Sequence, residues 1–444
     1  MGPTASIPSV YHLGLLTLDP LPDPTLAGEE INDTLVIDHY RSSALTYAGK
    51  QRMGIRESFP DTSEPVNFIR RAGSAPVPLN EPVPLPGDFR DAIRLTVSNS
   101  YVAIGEFRAK QLGHLELLAS LSSQQTDPWY SFTPDSIRPA TGKLHVALCV
   151  HLADFLGISA TAWFTQFVFG FPLTGALSQR FTFPVDTKIN ARPVGPSSLF
   201  QDKASRFISR ARRAPVRHAD ALWADAMAQV GDGWITDPRV LDSQGNFEAE
   251  PDTPIINAYR FGVPQDSKLR GCDDLKDSRT NTACVVQTPI SLCSWGHIAE
   301  SIHLSRHLDH EWAFGKIDIR SAYKFLPIAS KDSPLAVVTL WCPCRERRFG
   351  FATRTQLFGS TASALHYKCF SHILTTFLTR ILLTPTFGYF GDFGFLTPAD
   401  SASSALKFVV KFCDILGISL KAEKSDAGYR DYFSWAVGAF SRSH

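Results

Sequence analysis

Lys316-Ile-Asp-Ile-Arg-Ser-Ala-Tyr323, with Leu357-Phe-Gly-Ser-Thr-Ala-Ser-Ala364 and Tyr389-Phe-Gly-Asp-Phe-Gly-Phe395 after it, decides the fold. Asp318 closes the strand-like run Phe314-Gly-Lys-Ile317, and a helical turn can open at Ser321. Phe358-Gly359 stands as a turn before a helix-like run. Asp392 lies among glycines and aromatics that read as two short strands around a tight turn. A hairpin of that kind sets an Asp against the end of a neighbouring strand. Either Asp alone reads as a helix cap or a turn residue. The order and spacing of all three stretches favour a joint role over two lone caps. A carboxylate pair suits in-line displacement at phosphorus, where two divalent cations about 4 Å apart hold the attacking and leaving oxygens. Hard cations such as Mg²⁺ take carboxylate oxygens as ligands.

From about Arg260 to about Phe440 this arrangement resembles the reverse transcriptases, the RNA-directed DNA polymerases. Lys268-Leu-Arg270, Cys272-Asp-Asp-Leu275 and Asn281 are similar to the fingers segment whose basic residues grip the nucleotide triphosphate. On a strand, Lys268 and Arg270 share one face. The resemblance implies that Asp318 and Asp392 are metal ligands, joined by the carbonyl of Ile319, with Mg²⁺ (or Mn²⁺) as cofactor. It makes Tyr323 the aromatic gate that rejects a ribose 2′-hydroxyl, and Phe358 and Gly359 the support for template and nucleotide. Leu416 to Lys424 resembles the segment whose Lys acts near the pyrophosphate leaving group, which points to Lys424. Phe433 to Phe440 resembles the primer-gripping hairpin. The partners implied are an RNA template with a DNA primer and deoxynucleoside triphosphates. Phe169 to Gly175, Trp223 and Gly233-Trp234 resemble segments of retroelement polymerases of the tyrosine-recombinase type.

The third stretch departs from that pattern. The family carries Tyr-x-Asp-Asp, and here Tyr389-Phe-Gly-Asp392 has Gly391 at the first acidic position. One carboxylate is missing in either register. A lost metal ligand is worth on the order of a thousandfold in rate. Two readings from different classes therefore stand: a polymerase adding deoxynucleotides by a two-metal mechanism, and an inactive descendant of the fold that at most binds nucleic acid. Gly391-Asp392 also resembles the hairpin of RNA-templated RNA polymerases, a reading that Tyr323 opposes. Asp400 is too far along the hairpin to substitute.

Composition sets the frame. The 444 residues are 44% hydrophobic and 20% charged, with a net charge of +1, as in a globular protein of two or three domains. The one basic cluster, Arg206, Arg210, Arg212, Arg213, Arg217 and His218, reads as a helix face or a nucleic-acid contact. Eight cysteines show no zinc spacing, Cys342-Pro-Cys344 being the one close pair. Scattered thiols and no signal peptide fit an intracellular place, cytoplasm or nucleus. Phe155 to Leu177 is uncharged and long enough to span a bilayer. Its polar residues, glycines and proline instead predict a buried helix from about His145 to Val168, and no membrane partner is expected.

The expected fold is α+β, with reverse-transcriptase-like fingers and palm, an antiparallel sheet with packed helices. A mostly disordered Pro-rich arm spans 1–90, a helical N-terminal region 91–200, the fingers 201–304 and the palm 305–444. Phe107, Leu112, Leu115 and Leu118 are expected on one helical face. The thumb of the family is missing before His444. Protein partners are not legible.

Overall fold

The computed structural model describes residues 85–124, 128–141, 144–177, 193–211, 217–265, 268–287, 297–298, 300–301, 304, 311–389 and 391–429. Most of the expected Pro-rich arm, Arg212 and Arg213 of the basic cluster, and the Phe433 to Phe440 segment lie outside these residues.

The fold is α+β. Helices α1 (Gly87–Ser98) and α2 (Tyr101–Gln124) are separated at Asn99, where the backbone is extended. The residues that break the run also cap it. Asn99 Nδ2 donates to the Leu95 carbonyl at 2.8 Å, and the Ser100 hydroxyl accepts from the Ala103 amide at 3.2 Å. Leu112, Leu115 and Leu118 are buried and Phe107 is partly so.

The single helix expected from His145 to Val168 is a different object. α3 (Val146–Phe155) is followed by two short helical turns, Thr161–Phe164 and Gln166–Phe169. Gly157, at φ +70°, supplies the left-handed residue that closes a helix. The uncharged run then folds back on itself, so that Trp163, Phe164, Phe167 and Phe171 pack edge-on or stacked into the main core. Among the described residues no helix is long and apolar enough to cross a membrane.

The remaining elements run β1 (Gly175–Leu177), α4 (Lys203–Ala211), α5 (Ala219–Gly231), β2 (Arg239–Val240), β3 (Asn257–Gln265), β4 (Lys268–Asp273), β5 (Cys284–Val286), β6 (Trp312–Asp318), β7 (Val337–Cys342), β8 (Arg347–Phe351), α6 (Thr361–Ile381), β9 (Thr386–Tyr389), β10 (Asp392–Pro398), α7 (Ala402–Ile415) and β11 (Asp426–Tyr429). One sheet has four antiparallel strands in the order β11-β6-β10-β9, and another has five in the order β2-β8-β7-β3-β4. β1 pairs in parallel with β5.

Every residue of β6 is buried, which explains why its sequence shows no polar alternation. α7 packs on one face of the four-stranded sheet, with Phe393 and Phe395 in the same core as Val409 and Phe412. Phe89 and Ile93 of α1 cover the other face beside Trp312, Phe314 and Leu396.

The sequence division at residue 304 does not coincide with a sheet boundary. After Asp318 the chain leaves the four-stranded sheet and lays β7 beside β3 in parallel. It then adds β8 and returns through α6 to β9 and β10. The N-terminal helices are likewise part of the same body, with α2 against α7 and α1 against α6. The basic cluster is partly spent inside the protein: Arg210 pairs with Asp274 at 2.9 Å, and Arg206 donates to the carbonyls of Leu199 and Gln201.

Candidate active site

Asp318 is the last residue of β6 and Asp392 the first of β10. The antiparallel register sets them directly opposite each other. The Ile319 amide donates to the Gly391 carbonyl at 3.2 Å, tying the hairpin turn to the strand end. Cross-strand neighbours have Cβ atoms about 5 Å apart, so both carboxylates share one face. Asp400 sits beyond the opposite end of β10, where Pro398 pairs with Trp312.

A segment that precedes β11 runs beside the same strand end. The amide of Arg320 donates to the Ser419 carbonyl, and that of Lys421 to the Asp318 carbonyl, each at 2.9 Å. This backbone pairing carries Lys421 Nζ to both oxygens of Asp318, at 2.9 and 3.1 Å. Lys424 Nζ, one helical turn on, stands 3.4 Å from the second oxygen. Among the described residues Asp392 makes no such pair. Desolvation and the facing Asp318 raise its carboxyl above the ordinary range, opposed by Lys424, Lys421 and Lys316. Its side chain is exposed all the same, so the surrounding protein acts on it from one side only.

An aromatic chain links this pair to β4. Tyr323, on the 3₁₀ turn Ala322–Phe325, puts its ring edge-on to Phe358 at 4.8 Å and to Tyr367 at 5.4 Å. The Arg270 guanidinium lies 5.5 Å from the Phe358 ring. Burial raises the Tyr323 phenol. Lys268 opens the same strand, and its side chain lies outside the described residues.

The turn at Phe358-Gly359 is held by the segment from Asp273 to Asn281. Gly359 has φ +91°, and a Cβ there would stand 2.7 Å from the Asp273 carbonyl oxygen. Both facts demand glycine. Asn281 donates to the Gly359 carbonyl at 2.8 Å and accepts from the Thr361 amide at 3.0 Å, while the Ser360 hydroxyl caps α6. Asp273 itself is held by the buried Arg260, through two bonds of 2.8 and 3.1 Å.

Of the residues singled out in the sequence, Asp318, Ile319, Asp392 and Lys424 thus meet at one strand end, with Tyr323, Phe358, Gly359 and Arg270 beside them. Sequence reasoning passed over Lys421 and Tyr367. Lys421 is three residues from Lys424, a spacing that could have flagged it. Tyr367 is buried in the core on α6, and its hydroxyl stands 3.7 Å from where a Cβ on Gly391 would lie; burial first, and then Asp318, Tyr323 and Asp392, hold its ionisation well above the ordinary range.

Two carboxylates and a nearby carbonyl suit one hard cation. A second falls short of ligands: Gly391 brings none, and among the described residues no group of three or more His, Cys, Asp or Glu is placed to hold a metal.

No family model matches this chain, and no curated protein matches it. Among solved structures, it is similar to a foamy viral protease–reverse transcriptase in complex with double-stranded DNA. The identity is 14% and the TM-score 0.35, over 57% of this chain. The chain spans 36% of that protein's length.

Proposed function

We propose that this chain is a reverse-transcriptase-like palm and fingers, and that its reaction is deoxynucleotide addition to a primer 3′-hydroxyl on an RNA template. The observation that carries the proposal is the register of β6 and β10, which sets Asp318 against Asp392 at one end of a buried sheet. β3, β4, β7 and β8 form the fingers in this reading, and β6, β9, β10 and β11 the palm. Asp318, Asp392 and the Ile319 carbonyl would hold Mg²⁺ or Mn²⁺. When bound, such a cation neutralises charge developing on the transferred phosphate. In this reading Arg270 binds the triphosphate, and Lys268 is the second basic residue of the same strand. Tyr323, braced by Phe358 and Tyr367, closes the space a 2′-hydroxyl would need.

A second reading is favoured by specific contacts. Lys421 and Lys424 already neutralise Asp318, and Gly391 supplies no third carboxylate. A face of that charge would suit a phosphodiester backbone without chemistry.

Primer extension on an RNA template, with Mg²⁺ and with Mn²⁺, separates the two. The polymerase reading expects extension that Asp318→Ala abolishes and Gly391→Asp raises. If the unmodified chain and Gly391→Asp both bind primer–template yet add no nucleotide, the polymerase reading is wrong and the binding reading stands.

A further inference from the structure

Lys421 is the contact at this site that no resemblance predicts. Its ammonium donates to both oxygens of Asp318, at 2.9 and 3.1 Å, and its backbone amide holds the Asp318 carbonyl. The lysine is therefore fixed at its base and bidentate at its tip. Any cation that binds Asp318 must share or displace it.

The opposite side of the site has a gap. A Cβ at Gly391 would stand 3.4 Å from Ala322 Cβ and 3.7 Å from the Tyr367 hydroxyl, ordinary contact distances. The fold has room for a side chain there and carries none. The Tyr367 hydroxyl at its rim is buried and has no hydrogen-bond partner among the described residues. Three lysines, Lys316, Lys421 and Lys424, act on the two carboxylates Asp318 and Asp392. A second divalent ion would meet Lys421 and Lys424 already on Asp318, and Gly391 offers it no side-chain ligand to offset the repulsion.

We infer that the Lys421 ammonium is a fixed counter-ion standing where one of two divalent cations would act, so that this site holds a single divalent cation and holds it in competition with Lys421. The inference rests on the polymerase reading above and concerns cation binding rather than turnover. The side chain of Lys421 is about one-third exposed, so it can swing aside when a cation arrives.

Mn²⁺ binding to the full chain, followed by the loss of the free-ion paramagnetic resonance signal, tests it. The unmodified chain is compared with Lys421→Met, Lys421→Gln, Gly391→Asp, the double variant Lys421→Met/Gly391→Asp, and Asp318→Asn. One ion is expected on the unmodified chain, bound tenfold or more tighter by Lys421→Met and Lys421→Gln. Two ions are expected on the double variant, and Asp318→Asn should lose the site. If both Lys421 variants bind Mn²⁺ no tighter than the unmodified chain while Asp318→Asn loses it, the inference is overturned and the polymerase reading survives. Two ions on the unmodified chain also overturn it. If no variant binds Mn²⁺, the double included, the inference and the polymerase reading fall together.

Discussion

Tyr367 is fully buried, and among the described residues its hydroxyl has no hydrogen-bond partner. A lone buried hydroxyl costs about 1–3 kcal/mol of desolvation that nothing returns. Tyr367→Phe is therefore expected to hold or raise the urea midpoint, while in a Gly391→Asp background, where a carboxylate can accept from it, the same change should lower stability. A loss in the unmodified background would show that the hydroxyl has a partner. Lys324 presents a similar case with a charge. Burial, and then the Arg260 guanidinium, draw its ammonium down from 10.5 to about 8 against the pull of Asp273 and Asp225. Among the described residues its Nζ has no hydrogen-bond partner. Below pH 8 both folded and unfolded chains keep the proton, and the full cost of the buried charge is present. Between about 8 and 10.5 the unfolded chain holds a proton that the folded one has released, so stability from this group rises with pH. Lys324→Met is expected to gain up to about 3 kcal/mol at pH 7, with the gain shrinking toward pH 10. Urea unfolding of both proteins at the two pH values checks it, and an equal difference at both would sink the idea. Neither tension is legible in the sequence, since each depends on which groups tertiary packing brings within reach.

Individual elements explain what the sequence did disclose. The strand ending at Asp318, the Phe-Gly turn before a helix and the Gly-rich hairpin are local patterns, and β6, α6 and the β9–β10 hairpin stand where those patterns put them. The reversals at Asn99 and Gly157 were harder to read, because a run of apolar residues looks alike in one long helix and in several short ones. Lys421 was missed for a related reason. Only the pairing of residues 419–421 with the end of β6 decides which lysine of that segment meets Asp318. The facing of β6 and β10 hinges on Gly315, opposite Phe395. A Cβ at that position would fall 2.1 Å from Phe395 Cζ, a clash with the tip of the ring. Gly315→Ala is expected to cost about 3 kcal/mol, as overpacking does, and to disturb the register that brings Asp318 and Asp392 together. Phe395→Leu shortens the obstructing side chain, so Gly315→Ala/Phe395→Leu should be more stable than Gly315→Ala alone. Thermal melts of the three variants give the coupling directly, and simple additivity would contradict the close approach.

At the scale of the whole molecule, the N-terminal helices and the strands that carry the carboxylates form one structure, although the sequence suggested a succession of regions. Arg108 of α2 makes the link concrete. It is buried, and it donates from Nε to the Leu382 carbonyl at 2.8 Å and from Nη2 to the Leu383 carbonyl at 3.1 Å. These carbonyls follow the C-terminus of α6, where free acceptors and the negative end of the helix dipole favour a cation. Burial lowers the guanidinium to about 10, so it stays charged at neutral pH while giving up most of its hydration. No local pattern in residues 101–124 announces this, because the partners lie 274 and 275 residues away along the chain. Arg108→Met keeps the stem and takes one donor from each carbonyl, leaving Leu382 with the Thr384 hydroxyl and Leu383 with the Thr96 hydroxyl, at an expected cost of about 2 kcal/mol. α2 also covers α7, and α7 in turn backs β6, β10 and β11. A fragment of residues 311–429 would retain all four strands of the site sheet and lose the cover on both helices. It is expected to lack a cooperative thermal transition and to bind the hydrophobic dye ANS, whereas a chain of residues 85–429 should melt in one step. A sharp melt from the shorter fragment would show instead that the strand end holding Asp318 and Asp392 is a self-sufficient unit, with the N-terminal helices an accessory to it.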